Sequence, residues 1–174
     1  MKLLQKKRPD WDTYFMDIAH VVKRRSNCIR RDVAAVIVRN RRIISTGYNG
    51  TPSGIKNCFE GGCPRCASGA PSGEKLGECI CAHAEENAIV QAAYYGVALN
   101  GATMYCTESP CLLCAKMIVS AGIREVLFES PYRFNEQVAK LFKTAGIRFR
   151  KISPESSLKQ PSGRRPARRA RRSL

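Results

Sequence analysis

A chain of 174 residues, 44% of them hydrophobic and with a formal charge of +16, is sized for one domain with a substantial core. No apolar run approaches the roughly 20 residues that span a bilayer, and no apolar stretch with a cleavage site follows the basic residues Met1 to Pro9, so neither membrane insertion nor secretion is expected. Nine cysteines in such a chain point to metal and thiol chemistry in a reducing compartment, not to a disulfide framework, and an intracellular, cytoplasmic enzyme is the leading expectation.

The charge divides unevenly. Residues 159–174 carry Lys159 and six arginines with no acid, which leaves +9 on residues 1–158. A basic body suits an anionic substrate such as a nucleotide phosphate and equally a nucleic acid, so charge alone does not choose between them.

In chain order, residues 1–9 read as a basic extension and the folded domain as residues 10–153. Trp11, Tyr14, Phe15, Ile18, Val21 and Val22 recur at spacings of three and four, which predicts an amphipathic helix from Asp10, its cap, to about Arg25. His20 lies on that helix without a ligand-spaced partner and reads as a packing or surface residue. Val33 to Arg39 and Arg42 to Tyr48 are β-rich and meet at Asn40-Arg41, a hairpin. The run from Gly47 to Gly54 breaks all periodicity and reads either as a turn or as a substrate loop, in which Asn49 can both donate and accept hydrogen bonds.

Residues 55–81 are the least periodic part and hold Cys58, Cys63, Cys66, Cys79 and Cys81. Loops of this length are uncommon in a compact domain unless something orders them, and zinc held by four sulfurs is the economical candidate, with Cys28 available to join; free buried thiols are the alternative. A helix follows from Ala82 to near Gly96, then a strand from Ala102 to Cys106, a helix from Cys111 to about Ala121, a strand from Glu125 to Phe128, a helix from Asn135 to about Ala145, and a strand from Ile147 to Ile152. Cys106, mid-strand, reads as a core residue. This alternation predicts an α/β sheet covered by helices on both faces. Residues 154–174, rich in Pro, Ser, Gly and Arg, read as a disordered basic tail; the cluster Arg164 to Arg172 suits a nuclear localisation signal, a nucleic-acid contact or a solubilising end.

The chemistry concentrates in His83-Ala84-Glu85 and in Pro110-Cys111-Leu112-Leu113-Cys114. His83, Cys111 and Cys114 supply three zinc ligands and leave the fourth position open, the inventory of a catalytic metal, because structural zinc sites fill all four positions with protein. Glu85 is then the general base and acid. Both ligand pairs fall at predicted helix starts, where the dipole favours carboxylate and thiolate.

Cys28, Gly47-Tyr48-Asn49-Gly50-Thr51-Pro52, Cys58, the run His83 to Ile89, and the run Ser109 to Lys116 followed by Ala121-Gly122-Ile123 together resemble the deoxycytidylate deaminases of the cytidine deaminase superfamily. The likeness extends from about Trp11 to about Phe128. It implies a three-layer α/β/α cytidine-deaminase-like fold with a five-stranded mixed sheet, and hydrolytic deamination of dCMP to dUMP, the precursor of thymidylate. In this implied reaction zinc at His83, Cys111 and Cys114 activates water for attack on C4 of cytosine. Glu85 shuttles protons, and Asn49 and Ala84 contact the substrate.

The same resemblance implies a second, structural zinc, with Cys28 and Cys58 as two ligands and Cys63 and Cys79 as the favoured remaining pair, Cys66 and Cys81 being alternates. It further implies homo-oligomers, often hexamers, and regulation by dCTP and by dTTP with Mg2+. Tyr94, however, stands where phage-type members carry an effector-sensing arginine. Two other readings use the same motifs: a tRNA adenosine deaminase, and a catalytically inactive zinc-stabilised nucleic-acid-binding module, against which the intact Glu85 speaks.

Overall fold

The computed structural model describes residues 8–71, 73–133 and 135–153; the tail and its arginine cluster lie outside the described residues. Helix α1 (Trp11–Lys23) begins where Asp10 caps it, its carboxylate accepting from the Thr13 N–H at 2.8 Å. Strands β1 (Ala34–Arg39) and β2 (Arg42–Tyr48) form the expected hairpin. Its two linking residues, Asn40 and Arg41, both hold positive φ, 50° and 59°, as the tightest hairpin turn requires.

The long cysteine-rich segment is not wholly irregular. It contains a 3-10 turn at Cys58–Glu60, the single-turn helix α2 (Pro64–Ala67) with Pro64 at its first position, and a 3-10 turn at Leu76–Glu78. These pieces are too short to leave a hydrophobic period in the sequence. Helix α3 (Ala84–Tyr94), strand β3 (Thr103–Glu108), helix α4 (Leu112–Ser120), strand β4 (Glu125–Ser130), helix α5 (Asn135–Thr144) and strand β5 (Arg148–Lys151) complete the domain.

The five strands lie in the order β2-β1-β3-β4-β5. β1 is antiparallel to both β2 and β3, whereas β3, β4 and β5 run parallel, so the sheet is mixed. Alternation along β1 divides the two faces. Val36 and Val38 pack with Phe15, Met16 and Ala19 of α1, while Ala35 and Ile37 join the larger core beneath α3, α4 and α5. Ala88 and Ala92 of α3, Ile118 of α4 and Phe142 of α5 are all buried there. The result is the three-layer arrangement expected, with helices on both faces. Among the described residues no helix is long and apolar enough to cross a membrane.

Because β2 and β3 point the same way and α3 crosses behind β1, the chain leaves both strands at one edge of the sheet and returns into α3 and α4 from that edge. Two helix amino termini therefore meet beside the strand ends, where open α/β sheets place their ligand sites.

Candidate active site

His83 is the cap residue of α3 and Cys111 the cap residue of α4, both in extended backbone with ψ of 160° and 169°. Glu86 reaches back to accept the His83 N–H at 3.1 Å, which fixes the start of α3. The sequence placed His83 inside the first turn; it stands one position before it, so its ring points across the gap between helices. Cys111 Sγ and Cys114 Sγ each lie 3.4 Å from His83 Nδ1. Two Zn–S bonds of about 2.3 Å and a Zn–N bond of about 2.0 Å at a tetrahedral angle would separate sulfur from nitrogen by about 3.5 Å, so the donors stand at ligand spacing.

The electrostatics suit a divalent cation. Hydrogen bonding from the Cys114 thiol brings Cys111 down to about 4 against its own burial, with His83 adding to the effect. The Cys111 hydrogen bond in turn raises His83 to about 9. Cys114 is pushed far up, chiefly by the Cys111 sulfur beside it. A proton on His83 therefore balances one thiolate only, and both sulfurs ionise together only where a larger positive charge sits between them. The donor set of one imidazole and two thiols fits zinc, and the three residues leave a coordination position open.

Glu85, in the first turn of α3, is 4% exposed, and burial brings its carboxyl up to about 7 despite the opposing influence of His83. A carboxyl poised there can both take and release a proton near neutrality. The residue faces a cleft of about 460 Å³ whose wall also includes Asn49, Ala84, Arg30, Arg31 and Tyr132. That volume accommodates a nucleotide-sized ligand.

Asn49 and Ala84 both line this cleft, as the sequence reading expected of substrate contacts, but Asn49 is more constrained than that reading allowed. Its Oδ1 accepts from Ser26 Oγ at 2.8 Å and from the Val33 N–H at 2.8 Å, and its Nδ2 donates to the Arg31 carbonyl at 2.9 Å. Both oxygen lone pairs are used, leaving one N–H for a ligand. Ala84 is the first residue of α3, so its N–H has no partner within the helix.

The chain from residue 9 to residue 130 matches the family model described as the cytidine and deoxycytidylate deaminase zinc-binding region. This chain belongs to that deaminase family. A protein of Schizosaccharomyces pombe named deoxycytidylate deaminase is 47% identical over 152 residues, covering 87% of this chain and 47% of that protein. One of the same name from Saccharomyces cerevisiae is 50% identical over 146 residues, covering 84% and 46%. The chain thus spans about half the length of these two relatives. Among solved structures, the dCMP deaminase of cyanophage S-TIM5, in complex with dCMP and dUMP, superposes with a TM-score of 0.68 at 30% identity, covering 84% of this chain and all of that one.

In this deaminase-family chain the cleft also contains residues that the sequence reading did not single out. Arg30 and Arg31 were counted only as part of a basic body. They line the cleft, and the Asn49 side chain, donating to the Arg31 carbonyl, holds the segment between α1 and β1 beside it. Arg31 pairs with Glu108 at 2.9 Å and lies 5.0 Å from the centre of the Tyr132 ring. Their signal was adjacency to Cys28, which becomes readable only once Cys28 is known to border the site. His20 meets Glu129 at 2.7 Å and is not among the cleft residues, and Cys106 is fully buried in the main core.

The six remaining cysteines gather beside the cleft. The favoured set Cys28, Cys58, Cys63 and Cys79 is divided by the structure: Cys28 and Cys58 group with Cys66 and Cys81, and Cys63 and Cys79 form a second group with the same two residues. The reason is local. Residues two apart on an extended segment share a face, so Cys79 and Cys81 stay in one group, where Cys63 and Cys66 at the start of α2 join them, and only Cys66 and Cys81 also come within reach of Cys28 and Cys58.

Proposed function

We propose that the chain carries out zinc-dependent hydrolytic deamination of dCMP to dUMP, supplying dUMP for thymidylate synthesis. The observation that carries this reading is the buried Glu85 in one cleft with His83 and Cys111, which Cys114 joins as third donor, and with three arginines, Arg30, Arg31 and Arg65. The identity to yeast proteins named deoxycytidylate deaminase favours it over a tRNA adenosine deaminase or an inactive binding module.

His83, Cys111 and Cys114 would hold the zinc, which when bound supplies the Lewis acidity that makes water nucleophilic at neutral pH. Glu85 accepts the proton that water loses as its oxygen adds to C4 of the cytosine. The same carboxyl delivers that proton to N3, then takes the proton of the hydroxyl newly formed at C4 and passes it to the amine as the C4–N bond breaks and the C4 carbonyl forms, so water is consumed and ammonia released. Ala84 N–H and the remaining Asn49 N–H orient the nucleotide. Arg30 and Arg31 face its 5′-phosphate, with the Glu108 pair holding Arg31 in place.

The same reading extends to a homo-oligomer, of hexameric type, and to dCTP and dTTP–Mg2+ as effectors. Support for assembly comes from the outer face of α3, where Val90, Tyr94 and Tyr95 are 55%, 82% and 67% exposed. A cytoplasmic location, with nuclear import or nucleic-acid contact through the Arg164 to Arg172 segment, belongs to the same proposal. Incubating the protein with dCMP, dCTP, cytidine and adenosine-containing tRNA, and measuring ammonia, tests the central reading. Release from dCMP alone is expected; release only from tRNA, or from none, overturns it.

A further inference from the structure

Six cysteines apart from the His83, Cys111 and Cys114 group form two overlapping tetrads, and four of them, Cys28, Cys66, Cys79 and Cys81, also border the cleft. Cys28, Cys58, Cys66 and Cys81 have all their sulfurs within 4.8 Å of one another, and so do Cys63, Cys66, Cys79 and Cys81. Cys66 and Cys81 belong to both. Four unshared and two shared sulfurs fill the eight positions of two tetrahedra that meet along an edge. We infer that this cluster binds two zinc ions bridged by the Cys66 and Cys81 thiolates, one capped by Cys28 and Cys58 and the other by Cys63 and Cys79.

The spacings fit. A Zn–S bond of about 2.3 Å gives a tetrahedral sulfur–sulfur edge of about 3.8 Å. In the second tetrad Cys63 and Cys79 are 3.8 Å apart and Cys66 and Cys79 are 4.0 Å apart, and in the first all four sulfurs lie within 4.8 Å of one another. A disulfide would need about 2.05 Å, and all nine cysteines are free.

One zinc does not account for the site. A metal in the first tetrad strands Cys63, fully buried, and Cys79 beside it; a metal in the second strands Cys28 and the buried Cys58. Donors are provided for capping sulfurs on both sides. The backbone N–H groups of Cys66 and Ile80 bond the Cys63 sulfur and that of Ile29 bonds the Cys58 sulfur, which gives each capping side a donor, although burial still raises the Cys58 thiol overall.

Charge agrees as well. Each cysteine enters as thiolate with its proton released to solvent, so two Zn2+ and six thiolates leave a net charge of about −2. Arg65 lies between Cys63 and Cys66 in sequence and is 5% exposed, yet its hydrogen bonds go to the neutral carbonyls of Pro71 and Glu74. A buried guanidinium whose hydrogen-bond partners among the described residues are carbonyls is costly, and a dianionic cluster beside it supplies an opposite charge.

The segment also has little else to hold it. Ile55, Phe59 and Leu76 are 46%, 62% and 54% exposed, so its large apolar side chains face outward while its sulfurs face inward. The cluster is the core of this region, and through Cys81 it anchors the chain two residues before His83. It stands independently of the substrate assigned to the cleft.

The test uses the full chain, purified with zinc and, in parallel, loaded with 113Cd2+. Metal analysis should find two zinc ions per chain beyond the one at His83, Cys111 and Cys114. Cadmium NMR should show two all-sulfur resonances split by coupling to each other through the shared thiolates, and a third, uncoupled resonance from the mixed nitrogen–sulfur site. A single all-sulfur resonance, two without mutual coupling, or iron with inorganic sulfide in place of zinc overturns the inference. Loss of the third resonance alone would count against the catalytic reading and leave the cluster standing.

Discussion

Asn49 and Val33 are locked to each other by two hydrogen bonds: the Val33 N–H donates to Asn49 Oδ1 at 2.8 Å, and the Asn49 N–H donates to the Val33 carbonyl at 3.2 Å. This closes the chain where β2 ends and β1 begins, directly beside the cleft. Replacing Asn49 with Ala leaves the Val33 N–H without its partner, while the Ser26 hydroxyl keeps the residue 49 backbone carbonyl at 3.0 Å and the Arg31 carbonyl keeps Ser26 Oγ at 3.3 Å. The expected cost is about 1–3 kcal/mol, the penalty of one stranded buried group. Urea unfolding measures it, and a midpoint equal to that of the parent protein would remove the structural role assigned here.

Gly47 lies against α3 so closely that a Cβ would meet the Ala84 carbonyl and the Ala88 nitrogen, with the Ala88 Cα at 3.0 Å. These are backbone atoms and cannot swing aside. Gly47→Ala is therefore expected to push α3 away from β2, lowering stability by about 1–3 kcal/mol and displacing Glu85. Thermal unfolding and turnover should fall together; loss of neither contradicts the close approach.

For Glu85→Gln, size and hydrogen-bonding shape are retained while proton transfer is removed. Zinc content should stay at the parent level and turnover of dCMP should drop by at least about 10²–10⁴-fold, the usual contribution of a positioned acid–base group. Near-normal turnover would assign the proton transfers elsewhere.

Cys111→Ala acts on the metal instead. It removes the sulfur 3.4 Å from His83 Nδ1 and the thiolate that balances the local charge. Metal analysis should show the loss of one zinc per chain with the six-cysteine group still loaded, and activity should vanish with it. Full metal content would show that Cys111 is not a ligand.

Arg30 and Arg31 offer a test of the phosphate assignment. In the double variant with Ala at both positions, KM for dCMP should rise by tenfold or more, about 1.4 kcal/mol per decade, while binding of deoxycytidine, which lacks the phosphate, changes little. Equal effects on both substrates would mean that the pair shapes the cleft without contacting phosphate.

Much of this molecule is written locally. The spacing of Trp11, Tyr14, Phe15 and Ile18 marked α1 and the face it buries, and Asn40-Arg41 marked the hairpin, because helix and strand periods depend on neighbours a few residues away. His83-x-Glu85 and Cys111-x-x-Cys114 named the metal chemistry for the same reason: ligand types and short spacings survive in one dimension. What the sequence could not carry was which distant residues share a space. The mixed order β2-β1-β3-β4-β5 depends on contacts across the whole chain, and it alone brings the starts of α3 and α4 together. The partition of six cysteines into two groups with a shared pair depends on how residues 55–81 fold back on Cys28, a segment with no period to read. Arg30 and Arg31 became site residues only when the Asn49 bond to the Arg31 carbonyl fixed their position beside the cleft. Side-chain chemistry was legible because it belongs to each residue, whereas proximity belongs to the fold.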